Sequence, residues 1–113
     1  MKPTPPPAAA LEPNVGCIAA AMEIIGSKWT ALILRDLAAG PQRFCALEQS
    51  VRHINPRTLS KRLDSLTHQG IITKTTFAGI RPRTEYTLTA KGRDLLPILR
   101  QMASWGQKHP GTR

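Results

Sequence analysis

The chain has 113 residues, with 16 Lys and Arg against 7 Asp and Glu, for a formal charge of +9. That length suits one domain with a core that needs no staples. Two cysteines exclude a disulfide scaffold, five aromatics exclude an extended base-stacking platform, and no apolar run nears the ~18 residues of a membrane span.

Residues 1–14 are rich in proline and alanine, carry no apolar stretch of the kind a secretory signal needs, and are expected to form a disordered or polyproline-like tail. A soluble, cytoplasmic, basic domain is therefore expected over residues 15–109, with a short C-terminal tail at 110–113. Ile18, Met22 and Ile25 recur at one face of a first helix, which Gly26 stops, and Cys17 lies just ahead of it. Ser27 or Lys28 opens a second helix lined by Trp29, Leu32, Ile33 and Leu37 and widened by Leu34; Gly40-Pro41 ends it. Phe44, Leu47, Val51 and Ile54 predict a short third helix over about 46–52. Asn55-Pro56 is a start signal for a fourth, because Asn caps and Pro suits the first helical position. Leu59, Leu63 and Leu66 mark its buried face and Gly70 closes it.

The period then changes. Ile71 to Phe77 is rich in β-branched residues and predicts a strand, residues 78–82 a turn, and Arg83 to Leu88 the returning strand. Thr89 caps a last helix carrying Leu95, Ile98, Leu99, Met102 and Trp105, which Pro97 should bend and Gly106 and Pro110 should end. A helix pair followed by a β-hairpin is the winged helix-turn-helix arrangement, so the fold class expected is α+β, mainly α. In that arrangement the second helix of the pair enters the major groove and the hairpin flanks it.

The charge follows this order. Residues 1–51 carry four bases and four acids, whereas residues 52–93 carry nine bases against Asp64 and Glu85. A contiguous basic surface is the footprint of a polyanion, because neutralised phosphates release counterions. With Leu63 pointing inward, Arg57, Lys61, Asp64, Ser65 and His68 point outward and Thr58 and Arg62 lie on the flanks. Arg and Lys donate to guanine edges or phosphates, and Thr and Ser donate to either. The DNA-contact set expected on the fourth helix is Asn55, Pro56, Arg57, Thr58, Ser60, Lys61 and Arg62. On the hairpin it is Lys74, Arg81 and Arg83, which reach phosphates or a minor groove. A mixed-charge surface helix beside an edge hairpin that resists aggregation through charge is the plainer alternative.

The chain resembles the HxlR-type winged-helix regulators, relatives of the MarR type. The resemblance is carried by Cys17, the Ile25-Gly26-Ser27-Lys28-Trp29-Thr30 run, Leu32 to Leu37, Gly40-Pro41 with Arg43-Phe44, Ile54 to Leu63, Glu85 to Thr89 with Lys91-Gly92, and Trp105-Gly106. It implies a homodimer that binds a near-palindromic double-stranded operator and usually represses a neighbouring gene. It also implies that the first and last helices, through Ile18, Met22, Leu99, Met102 and Trp105, build the dimer interface. Cys17 matches a cysteine through which some members sense oxidants or electrophiles. A thiol at a helix N-terminus is open to that role through the dipole, or else is a small buried apolar residue. Cys45 reads as a core residue at a position the family usually fills with a polar one.

His53, His68 and His109 have no ligand spacing, so no metal or cofactor is expected. No phosphate-cradling loop, carboxylate pair or nucleophile arrangement appears, so catalysis is not expected. A module that docks an acidic protein, or coats DNA without sequence preference, is the competing class. A salt series and a specific-to-random comparison separate these readings.

Overall fold

A computed structural model describes residues 15–51 and 53–111. The expected tail over 1–14, and the end of the one at 110–113, lie outside the described residues. The elements are α1 (Val15–Ile25), α2 (Lys28–Leu37), β1 (Gln42–Arg43), α3 (Phe44–Ser50), α4 (Pro56–His68), β2 (Ile72–Phe77), β3 (Arg83–Leu88), α5 (Ala90–Arg93) and α6 (Leu96–Lys108). This is the mainly helical, winged helix-turn-helix class expected. No single helix among the described residues is long and apolar enough to cross a membrane.

Helices α1 and α2 are bent by 76° at Gly26-Ser27. Ser27 begins α2 because its hydroxyl accepts from the Trp29 N–H at 3.2 Å, satisfying one of the free donors of the first turn. The inward face of α2 is Thr30, Ile33, Leu34 and Leu37, all at most 2 % exposed. Trp29 and Leu32, expected in that stripe, are half-buried at its edge, and the Lys28 ammonium lies 4.8 Å from the Trp29 ring centre. Around α2 close Leu47 and Val51 after it, Leu59, Leu63 and Leu66 of α4, and Ile71, Ile72, Tyr86 and Leu88 of the sheet. Burial of this cluster is the main stabilising term of the fold, at roughly 25 cal/mol per Å² of apolar surface.

The sheet has three antiparallel strands in the order β1-β3-β2, with Ile72 opposite Leu88 and Phe77 opposite Arg83 at the two ends of the hairpin. Strand β1 pairs Gln42 with Tyr86 and Arg43 with Glu85. Two residues show no periodicity, so nothing in the sequence announced it. It also explains why α3 spans Phe44–Ser50 rather than about 46–52. Arg43 is held extended by its pairing, and the helix begins at the next residue. Cys45, expected in the core, is exposed. It sits two residues before Leu47, which is fully buried, and two helical steps of about 100° turn it to the opposite side. Cys17, expected ahead of α1, lies within its first described turn and is also exposed.

The expected bent last helix is two helices. α5 ends at Arg93, and Asp94 and Leu95 turn the chain into α6, where Pro97 occupies the first turn and displaces no helical hydrogen bond. Proline is tolerated there, so it marks a start instead of a kink. Gly106 does not end α6, which runs to Lys108. His109, whose backbone leaves the helical region ahead of Pro110 (φ −129°, ψ 67°), closes it as the residue before a proline tends to.

Candidate nucleic-acid interface

Helix α4 is fixed at both ends by its own residues. The Thr58 N–H donates to Asn55 Oδ1 at 2.8 Å, and Pro56 occupies the first turn. At the other end the Gly70 N–H reaches the Thr67 carbonyl at 3.1 Å and the Ile71 N–H reaches the Leu66 carbonyl at 2.9 Å. This paired arrangement needs a left-handed residue, and Gly70 supplies it at φ 75°. Between the ends Leu59, Leu63 and Leu66 are buried, and Arg57, Ser60, Lys61, Asp64, Ser65 and His68 are exposed. Thr58 and Arg62 are half-buried on the flanks. The burial thus follows the face assignment expected from the leucine spacing.

The two halves of the outer stripe differ. Arg57 and Lys61 stand clear of acids, because the ion pairs among the described residues join Arg35 to Asp36 and Arg83 to Glu85. Asp64, one turn further on, is exposed and puts a negative charge on the second half of the stripe. Burial, and secondarily the Asp64 carboxylate, push the Tyr86 hydroxyl above its ordinary value of 10.0. The cationic front is therefore the N-terminal half of α4, where free N–H groups and the positive dipole end also lie.

The hairpin carries the rest of the expected set, with one difference. Arg81 is exposed in the five-residue tip, and Lys74, opposite Tyr86 in the middle of β2, is exposed. Arg83 is engaged instead. Its Nε donates to Glu85 Oε2 at 3.1 Å, and its guanidinium carbon lies 4.4 Å from the centre of the Phe77 ring. An arginine stacked on its cross-strand neighbour and paired two residues along stiffens the hairpin and offers less free charge than Arg81. Glu85 at two-residue spacing on the same strand face was the signal in the sequence for this pairing.

Thr89 caps α5 as its sequence predicts, but the contacts that Thr89, Lys91 and Gly92 make with the exit of α4 had no signal in the sequence. The Thr89 hydroxyl accepts from the Gly92 N–H at 3.0 Å and lies 2.6 Å from the Gly70 carbonyl and 3.0 Å from the Ile71 carbonyl. The Lys91 ammonium donates to the Gln69 carbonyl at 2.8 Å. A Cβ on Gly92 would collide with the Ile71 carbonyl oxygen, so the close approach of α5 requires glycine.

Away from this surface lies an apolar one. Ile18 and Met22 of α1 and Met102 and Trp105 of α6 are 44 to 66 % exposed, and Leu99 is half-buried. Val15 and Ile98, unassigned from the sequence, extend the same exposure. A groove of about 510 Å³ between α2 and α6, lined by Leu32, Leu96, Leu99 and Met102 with Arg35 and Arg100, adjoins it. Cys17 is exposed on α1.

The family model for the HxlR-like helix-turn-helix matches residues 24–112. The chain belongs to the HxlR-like helix-turn-helix family. It is 36 % identical over 85 residues to the HTH-type transcriptional regulator YvaP of Bacillus subtilis, covering 75 % of this chain and 79 % of that one. Among solved structures it is similar to the redox regulator HypR in its reduced form, at TM-score 0.76 and 31 % identity over 80 % of this chain and 90 % of that one. It is also similar to the reduced form of the transcriptional regulator YodB of B. subtilis, at TM-score 0.76 and 28 % identity over 84 % and 95 %. This HxlR-like chain is thus a transcriptional regulator with a helix-turn-helix DNA-binding fold, in a family of regulators and not of enzymes.

Proposed function

We propose that the protein is a homodimeric repressor that reads a near-palindromic operator and releases it on oxidation or electrophile attack at Cys17. The observation that carries the DNA reading is the stripe of Arg57 and Lys61 on the exposed front of α4, with a basic wing tip beside it. Arg57, Thr58, Lys61 and Arg62 contact base edges and phosphates in the major groove. Asn55, Pro56 and Ser60 approach the backbone near the helix start, and Lys74, Arg81 and Arg83 reach the flanking minor groove or its phosphates.

The dimer half of the proposal is supported by the exposed apolar faces of α1 and α6, which would leave Ile18, Met22, Met102 and Trp105 in water in a lone chain. A twofold dimer places its recognition helices about 34 Å apart, one turn of DNA. The sensing half is supported by the exposure of Cys17 on α1 and by the redox regulator among the structural neighbours. A footprint on the DNA flanking the protein's own gene, with and without diamide, tests all three parts. The expected result is a symmetric protected site that is lost on oxidation in wild type and retained in Cys17→Ser. A site lacking symmetry removes the dimer, and operator affinity that survives diamide removes the switch.

A further inference from the structure

The carbonyls at the exit of α4 divide between the local turn and a different element. Those of Leu66 and Thr67 are taken by the chain's own turn, at the Ile71 and Gly70 N–H groups. Past His68, the carbonyls of Gln69 and Gly70 accept from the Lys91 ammonium at 2.8 Å and the Thr89 hydroxyl at 2.6 Å. The Thr89 N–H closes the joint on the Ile71 carbonyl at 3.0 Å, and Gly92 packs against that same oxygen. Helix α5 and its cap Thr89 therefore grip the exit of α4, Lys91 at the C-cap residue Gln69 and Thr89 and Gly92 at the turn that follows. Helix α5 leads through buried Leu95 directly into α6, whose outer face is apolar and exposed.

We propose that Lys91 is a positioning residue for DNA recognition. Its ammonium holds the negative, carbonyl end of α4 against α5 and so sets the angle of the α4 front relative to the wing. An ammonium suits this site because a helix C-terminus attracts positive charge and its last carbonyls lack intrahelical partners. Lys91 is exposed like Arg57, Lys61 and Arg81, but its ammonium is engaged by the Gln69 carbonyl. Lys91 thus governs discrimination between sequences, and the general attraction for phosphate is left to the other cations. The proposal rests on α4 being the helix that reads DNA.

The test uses the full chain as wild type, Lys91→Met, Lys91→Arg and Lys61→Ala. The probes are a duplex enriched from a randomised library by the wild type and a mixed-sequence duplex of equal length. Lys91→Met keeps the stem and loses the donor. It is expected to weaken the enriched duplex by roughly three- to tenfold, with mixed-sequence affinity and its salt slope unchanged and with Lys91→Arg restoring binding. Amide exchange in the DNA-free protein should quicken at Gly70 and Ile71 and stay unchanged at Ile33 and Leu34 of α2. Equal loss on both duplexes, with a salt slope smaller by about 0.9, means that Lys91 neutralises a phosphate, and overturns the proposal. Faster exchange at Ile33 and Leu34 as well means that Lys91 only supports the fold, and overturns it too. If Lys61→Ala weakens binding while Lys91→Met matches wild type, the positioning role fails alone. If Lys61→Ala has no effect, the reading of α4 fails and takes the positioning role with it.

Discussion

Asn55 separates the folding of α4 from its use. Its side chain accepts a single hydrogen bond, from the Thr58 N–H at 2.8 Å, at an exposed helix start. Asn55→Ala leaves that donor to water and costs about 1 kcal/mol, the usual value for a lost N-cap. For a domain of this size that lowers the melting midpoint by roughly 4–8 °C. Asn55→Asp keeps the acceptor and adds a negative charge where the helix dipole is positive, so its midpoint is expected within a few degrees of wild type or above it. DNA affinity follows the opposite order. At temperatures where both variants are folded, Asn55→Ala binds nearly as well as wild type. Asn55→Asp brings a carboxylate against the phosphates and loses roughly tenfold or more. Thermal unfolding and fluorescence anisotropy with a fixed duplex measure the two orders on the same samples. An Asp variant that melts like the Ala variant contradicts the cap. An Asp variant that is stable and binds like wild type contradicts the placement of the α4 N-terminus at the DNA backbone.

Other perturbations test other parts of the molecule. Arg57→Ala and Lys61→Ala should each cost about 1–3 kcal/mol of preference for the enriched sequence if they read bases, whereas Arg81→Ala should weaken all sequences alike and flatten the salt slope, as read in parallel titrations. Arg83→Ala, which breaks the Glu85 pair and the Phe77 contact, should loosen hairpin amides in exchange experiments more than Arg81→Ala does. Gly92→Ala forces a Cβ onto the Ile71 carbonyl and should cost about 1–3 kcal/mol in urea unfolding. Tyr86 titrates above 10.0 in the folded chain, so the folded state holds that proton more tightly than the unfolded one. The contribution is complete below pH 10 and falls away as pH rises above it, and Tyr86→Phe should remove that part of the alkaline loss of stability.

The legible parts of the fold were those written in strong local chemistry. Asn55-Pro56 marked the start of α4, the leucine spacing fixed its outer face, and the β-branched run after Gly70 announced the wing. Each follows from contacts within a few residues. What the sequence concealed depends on contacts made across the chain. Strand β1 exists only because β3 offers its free edge to Gln42 and Arg43. Cys45 looked apolar enough for the core, but the early start of α3 turned it outward. Pro97 and Gly106 were read by propensity alone, whereas the turn at Leu95 makes the one a first-turn residue and α6 continues past the other. On the candidate site, the cations of α4 could be named from the helical period. The engagement of Arg83 needed the register with Phe77, and the grip of Thr89 and Lys91 on α4 needed two segments about twenty residues apart to meet.

The central claim is that the N-terminal front of α4 reads sequence. The most direct measurement is the affinity of wild type and the Arg57→Ala, Lys61→Ala double variant for the enriched and the mixed-sequence duplex, each across a salt series. The account predicts that wild type prefers the enriched duplex by 10³-fold or more, on the order usual for specific binding. It predicts that the double variant loses most of that preference while still binding both duplexes in low salt through the wing. A double variant that keeps the full preference, or a wild type that shows none, would contradict it.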